Sequence, residues 1–429
     1  MNSNFISFPV TDFKRTKQQV LSWANQFGTC CFLDNHQYQF NHHTYECVAG
    51  IGAVDYIEIT AGAALAQLHA FQQKHDGWLF GHLGYDLKNE TEDVTSANPD
   101  HICFPDLFFF VPETVVLLNK NELQISGGTK EATESFIAIT TVGIEEESFP
   151  AKNIYFQPRF ARQNYIDTIE QLRSHILRGD CYEINFCQEF FAEDVQINPV
   201  NIYQSLSEIS PAPFAAFYKL TDKYLLCASP ERYLKKDGDT IISQPIKGTG
   251  KRDLLSEQTD ALHKRSLYNS AKDRSENVMI VDLVRNDLSK ICLEGSVQVE
   301  ELFGIYSFPQ VHQMISTIWG KLQPGLSFAE IIQKTFPMGS MTGAPKKKVM
   351  ELIEKYETVK RGIFSGAVGY IKPGGDFDFN VVIRSVLYNQ RNKYLSYQVG
   401  SGITFYSKAA EEYEECLLKA EAIKRVFSS

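Results

Sequence analysis

The sequence predicts an α+β fold, a sandwich of antiparallel sheets covered by helices. Candidate strands at 314–319, 381–388 and 394–399 alternate residue character with a period of two, as half-buried antiparallel strands do. Candidate strands also cluster instead of alternating strictly with helices, which argues against a doubly wound parallel sheet. With 429 residues, 43% of them hydrophobic and 12% aromatic, the chain can bury a large core.

In chain order, residues 1–155 mix short β-type runs, at 29–33 and 107–111, with one helical pattern at 61–74. The stretch 143–160 turns acidic and then irregular, with Pro150 and Pro158, and reads as a connection. The boundary is placed there, giving an N-terminal region over 1–155 and a second region over 156–429. From Gln163 a helical pattern carries Tyr165, Ile166, Ile169, Leu172 and Ile176 to Gly179, and a strand-like run follows at 181–190. Further strands are expected at 214–220 and 224–228, and helices near 272–291, 327–335, 345–356 and 408–426.

Composition excludes several classes of partner. Lys plus Arg number 42 against 52 Asp plus Glu, a formal charge of -10, so long-range attraction to nucleic acid or to an anionic membrane is not expected. A small anionic substrate would need local cations or a bound metal. The nine cysteines are scattered, with no C-x-x-C pair, which speaks against a disulfide framework and a structural zinc site. The N-terminal stretch lacks an apolar core of signal-peptide length, and the most apolar run, near 107–118, is broken by Pro112 and Glu113; a cytoplasmic protein is expected.

Several constellations could carry chemistry. Asp273 and Glu276 lie one turn apart on a predicted helix face, and Glu412 and Glu415 repeat that spacing. Two such helices could meet around a hard divalent cation, although either pair alone reads more simply as a solvated face. Lys247, in P-I-K-G-T-G-K-R, could be a nucleophile if desolvated, or an exposed turn lysine. The same segment fails as a phosphate-binding loop, because Pro245 stands where its first glycine is needed and Arg252 where Ser or Thr should be. Glu231, at a strand end in S-P-E-R-Y, is a candidate acid or a surface ion-pair residue. His312, in a β-type run, is a candidate catalyst, although a lone strand histidine is more often a satisfied core or surface residue. Arg384, among strand hydrophobes in V-V-I-R-S-V-L-Y, needs an anionic partner.

Together G-D-C-Y-E-I-N-F, S-P-E-R-Y, P-I-K-G-T, E-N-V-M-I-V-D-L-V-R-N-D-L, V-H-Q-M-I-S-T, G-S-M-T-G-A-P-K, F-S-G-A-V-G-Y, I-R-S-V, V-G-S-G-I and E-E-Y-E-E, in that order, resemble the chorismate-binding family. That family includes component I of anthranilate synthase and of aminodeoxychorismate synthase, and the isochorismate and salicylate synthases. The resemblance covers residues from about 160 to 426 and implies an anthranilate synthase component I-like sandwich.

It further implies that Glu276 and Glu415 ligate Mg²⁺, with Asp273 and Glu412 behind them holding metal-bound waters. Arg384 and the backbone near Gly400 and Gly402 would hold the enolpyruvyl carboxylate. Turns at Gly248 and Thr249, and at Ser340, Thr342 and Gly343, would supply further donors. Lysine at 247 matches the family's aminodeoxychorismate synthases, whereas the anthranilate synthases, the competing reading, carry alanine there. Lys247, with a pKa depressed beside Mg²⁺, would then add at ring carbon 2 while protonated Glu231 assists loss of the carbon 4 hydroxyl, and ammonia would follow. With no G-x-C-x-G amidotransferase elbow, the ammonia is expected from a separate glutamine amidotransferase subunit.

Three departures limit the transfer. Glu183 stands where the aminating members have glutamine, and the resemblance gives it no role. Phe364 replaces a frequent tyrosine, so one phenolic hydrogen bond to substrate is missing. No L-L-E-S tryptophan-binding motif occurs in the N-terminal half, so tryptophan inhibition is not expected.

Overall fold

The computed structural model describes residues 4–39, 41–144, 154–309 and 311–428. Of the predicted acidic connection, 145–153 lie outside the described residues. Two antiparallel sheets dominate, one of 12 strands and one of 10.

Both sheets are built from both parts of the chain. In the larger, Thr29–Asp34 pairs with Phe214–Leu220; in the smaller, Leu79–Leu83 pairs with Ala367–Ile371. The boundary expected near residue 155 therefore runs through the sheets instead of between them.

Strand alternation explains the layers. In Phe214–Leu220, Ala216, Tyr218 and Leu220 join the core shared with the other sheet, while Phe217 joins the helix-covered outer core. Lys223–Ser229 repeats this, with Leu225 and Cys227 inward and Tyr224, Leu226 and Ala228 outward. Burial on both faces makes such strands apolar throughout, and each large side chain taken from water contributes about 1.5–3 kcal/mol. The outer face lies under helices Phe13–Ala24, Arg162–Leu177, Lys346–Tyr356 and Ala409–Lys419, through residues such as Trp23, Tyr165, Leu352 and Tyr413.

The structure corrects two local expectations. Before residue 145 there is more than the single helix expected: Phe13–Ala24 and Thr129–Thr141 are helical as well as Ala64–Lys74. The first is started by Asp12, whose side chain accepts from the Arg15 amide. The strand expected at 381–388 is interrupted: Phe377–Asn380 ends before it, Ser385–Asn389 starts within it, and Arg384 has φ 51. A left-handed residue cannot continue a strand, so Arg384 sits on a break between the two sheets.

Two helices matter for the site. Ser270 caps Ala271–Ser289 by accepting from the Asp273 amide, and Glu276, Ile280, Val284 and Leu288 recur along its buried face. Ala409–Lys419 buries Ala409, Glu412, Tyr413 and Cys416. No helix among the described residues is long and apolar enough to cross a membrane.

Candidate active site

Lys247, Gly248 and Thr249, on strand Ile246–Lys251 of the smaller sheet, face a cleft whose opposite wall includes Gly400 and Gly402 of the larger sheet. The same cleft is lined by Glu231, Ser340, Arg384, Asp273, Glu276 and Glu415. Residues scattered over the sequence as separate motifs are thus drawn into one cavity. A second depression adjoins it and shares Thr249, Asp273, Arg384 and Glu415.

Other expected residues serve the packing of the wall more than its surface. Thr342 is fully buried, with its hydroxyl on the carbonyl of Met338 at 3.1 Å. Gly343 pairs with Ile184, and a Cβ there would come within 2.1 Å of the Glu183 carbonyl oxygen, so glycine permits strand pairing. Gly400 lines the cleft, but a Cβ would meet the Phe186 carbonyl oxygen at 2.1 Å, again a matter of strand approach. Glu412 lies behind the wall with its side chain 1% exposed. His312 has Ser307 Oγ 2.9 Å from Nδ1 and Asp260 Oδ1 3.1 Å from Nε2, and does not line the cleft. Both ring nitrogens are engaged, as in a satisfied structural histidine.

Glu183 gains a partner that sequence reasoning missed. Its Oε1 lies 2.7 Å from Lys247 Nζ, and the two side chains are 1% and 10% exposed. Gly402 makes room for the pair, since a Cβ there would come within 2.5 Å of Lys247 Nζ and 2.8 Å of Glu183 Oε1. Burial pulls the Lys247 pKa down, but Glu183, then Glu276, and finally Glu415 outweigh it and hold the ammonium above the ordinary lysine value. Among these side chains alone the anions around Lys247 win over desolvation; the depressed pKa is the expectation for a lysine beside Mg²⁺.

Glu231 behaves as an acid in a dry site should. Burial pushes its carboxyl up to about 7, against a hydrogen bond from Ser340 and the charges of Lys247 and Arg384. Burial brings Arg384 down to about 10, with Glu231 opposing. With the Gln313 amide oxygen turned toward the guanidinium, it accepts from Arg384 Nη1 at 3.2 Å and Nη2 at 2.5 Å.

The carboxylates of the two helices are unequal. Burial raises Glu276 to about 7, opposed by Lys247 and Lys272, whereas Lys419 above all lowers Glu415 to about 2. Lys272 stands among them, with Nζ 3.0 Å from Glu412 Oε1 and 3.7 Å from Glu415 Oε2. Glu276 Oε1 and Glu412 Oε2 are buried without a hydrogen-bond partner, as is Glu183 Oε2. Buried carboxylate oxygens with unused lone pairs are donors of the kind a hard divalent cation takes, and Glu276, one of the two expected direct ligands, offers one, while Glu415 is paired with Lys419. A tighter group, Asp34, Glu46 and Cys47, lies away from the cleft; there Lys17 Nζ already sits 2.8 Å from Asp34.

A family model described as chorismate binding enzyme matches residues 28–425. The chain is 34% identical over 369 residues to the chloroplastic aminodeoxychorismate synthase of Arabidopsis thaliana, covering 81% of this chain and 40% of that protein. It is 32% identical over 352 residues to aminodeoxychorismate synthase component 1 of Klebsiella aerogenes, covering 81% of this chain and 76% of that one. Among solved structures, anthranilate synthase component I from Streptococcus pneumoniae superposes with a TM-score of 0.79 at 26% identity, over 91% of this chain and 96% of the other.

Proposed function

The chain belongs to the chorismate binding enzymes, and we propose on that premise that it converts chorismate and ammonia to 4-amino-4-deoxychorismate. The observation that carries this reading is a lysine, Lys247, in the same cleft as a carboxyl raised to about 7, Glu231. A nucleophile that adds and later leaves suits 4-amination, and the relatives named for that reaction support it.

Arg384 holds a carboxylate of the substrate, with Gln313 fixing the guanidinium plane. Glu276 and Glu415 would ligate Mg²⁺, with Asp273 and Glu412 behind them. Bound there, Mg²⁺ would neutralise the ring carboxylate of chorismate.

Lys247 must first lose a proton, and Glu183 Oε1, at 2.7 Å, is the acceptor in reach. The freed Nζ lone pair forms a bond to carbon 2, both ring double bonds shift (carbons 1–2 to 1–6, carbons 5–6 to 4–5), and the carbon 4 to oxygen bond breaks as Glu231 delivers its proton, releasing water. Ammonia then bonds to carbon 4, both double bonds shift back, and Lys247 leaves carbon 2 as a neutral amine. Glu231 takes a proton from the new ammonium, and Glu183 returns its own to Lys247. A glutamine amidotransferase subunit is the proposed source of ammonia, in keeping with relatives named as a component 1.

The test is to incubate the chain with chorismate, Mg²⁺ and ammonium at alkaline pH, with and without an aminodeoxychorismate lyase, and identify the products by mass. The expected result is 4-aminobenzoate only when the lyase is added, and no aminated product from Lys247→Ala. Anthranilate as the product, or a fully active Lys247→Ala enzyme, would overturn the reading.

A further inference from the structure

The carboxylates of the two helices surround a lysine. Lys272 Nζ lies 3.0 Å from Glu412 Oε1, 3.7 Å from Glu415 Oε2 and 3.9 Å from Glu276 Oε1. Lys272 is on the first turn of Ala271–Ser289, where exposed backbone N–H groups disfavour a cation. Its position there is explained by the acids it faces, not by the helix that carries it. Its side chain is 40% exposed, whereas those of Glu276 and Glu412 are 10% and 1% exposed. Glu276 and Glu412 are fixed in the wall, Glu415 is 39% exposed at its rim, and the lysine has solvent to turn into.

We propose that Lys272 is a tethered cation that occupies the carboxylate cluster when no divalent ion is bound and is exchanged for that ion when it arrives. This rests on the reading of Glu276 and Glu415 as metal ligands. An ammonium offers one charge and three N–H donors; a divalent ion brings two charges and takes carboxylate oxygens directly. Once the ion is among the carboxylates, the two cations repel and the lysine swings outward. The empty site thereby avoids mutual repulsion of its acids. The metal affinity is lowered in proportion to the fraction of molecules in which the lysine is already out. A lysine that stayed in place would also weaken binding by repulsion, so what marks the exchange is that Lys272 becomes more exposed when the ion binds.

The test titrates Mn²⁺, read by electron paramagnetic resonance, into the metal-free full chain without chorismate. Lys272→Met is expected to bind Mn²⁺ about tenfold more tightly or better, which corresponds to a lysine-out fraction of about a tenth or less in the natural chain. Its metal-free form is expected to melt lower. Unchanged or weaker Mn²⁺ binding by a folded Lys272→Met protein overturns the exchange. Should that variant not fold without metal, the natural chain decides: acetylation of Lys272, followed by peptide mass spectrometry, must quicken when Mn²⁺ is added, and a constant or slower rate overturns the proposal. Mn²⁺ binding that survives Glu276→Gln would instead remove the metal-site reading and the exchange with it, an outcome distinct from failure of the lysine alone.

Discussion

Arg361 gives its guanidinium wholly to the fold, whereas Arg384 leaves much of its own to the cleft. Arg361 donates to both oxygens of Glu357, at 2.6 and 2.9 Å, to the carbonyls of Met341 and Asn185, at 2.6 and 2.8 Å, and to Ser365 Oγ at 3.3 Å. It thereby fixes the turn beside Ser340 that walls the cleft. Arg384 meets the neutral amide of Gln313 and, through charge, Glu231. It sits at a positive φ and its pKa is brought down to about 10. A cation with all donors matched by the fold is structural; one with few partners is, on the function proposed above, the one left for the substrate's carboxylate.

The sharpest way to break this comparison is to remove each charge in turn. Arg384→Met should lower kcat/KM by about 30- to 5000-fold, the loss of a desolvated charged hydrogen bond of about 2–5 kcal/mol. Its urea midpoint should be unchanged or slightly raised. Arg361→Met should do the reverse, costing about 3–5 kcal/mol of stability because Glu357 is left buried without its partner. Steady-state kinetics and urea unfolding on both variants check this, and two variants alike in both assays would dissolve the distinction.

The acid facing Arg384 gives a pH test. Glu231 is raised from 4.5 to about 7, so the folded chain keeps a proton that the unfolded chain releases. Its contribution to stability is fully present below pH 4.5 and is lost as pH rises toward 7, in all roughly 3 kcal/mol. Unfolding free energies at several pH values should fall over that window more steeply than those of Glu231→Gln; parallel curves would contradict the burial assigned to Glu231. The smallest effect is expected at Phe364, whose amide bonds the Arg361 carbonyl at 3.1 Å while its residue lines the cleft with Arg384. Phe364→Tyr should lower KM by about two- to tenfold if the added hydroxyl reaches the substrate, the worth of one hydrogen bond.

Much of this site could be read from the sequence where a motif lay within one element. The spacings Asp273 to Glu276 and Glu412 to Glu415 placed carboxylates on helix faces, and the structure brings those helices to one cleft. The Glu183–Lys247 pair was illegible because its members lie on different sheets and meet only when the sheets stack. Lys272 carried no signal, since Glu412, its nearest acid, is 140 residues away. The break at Arg384 carried no signal either: V-V-I-R-S-V-L-Y contains no Gly, Pro, Asn or Asp to mark a positive φ. Thr129–Thr141 was missed as a helix because threonines and isoleucines fill its last turns, and packing overrode their weak helical preference.

The sharing of both sheets by the two parts of the chain also governs what can be cut away. A fragment starting after residue 155 would keep every motif residue of the cleft but expose two bare strand edges, along Phe214–Leu220 and Ala367–Ile371. Such edges recruit other strands, so the fragment would aggregate before it could bind anything. The first 150 or so residues, which line none of the cleft, are what covers those edges.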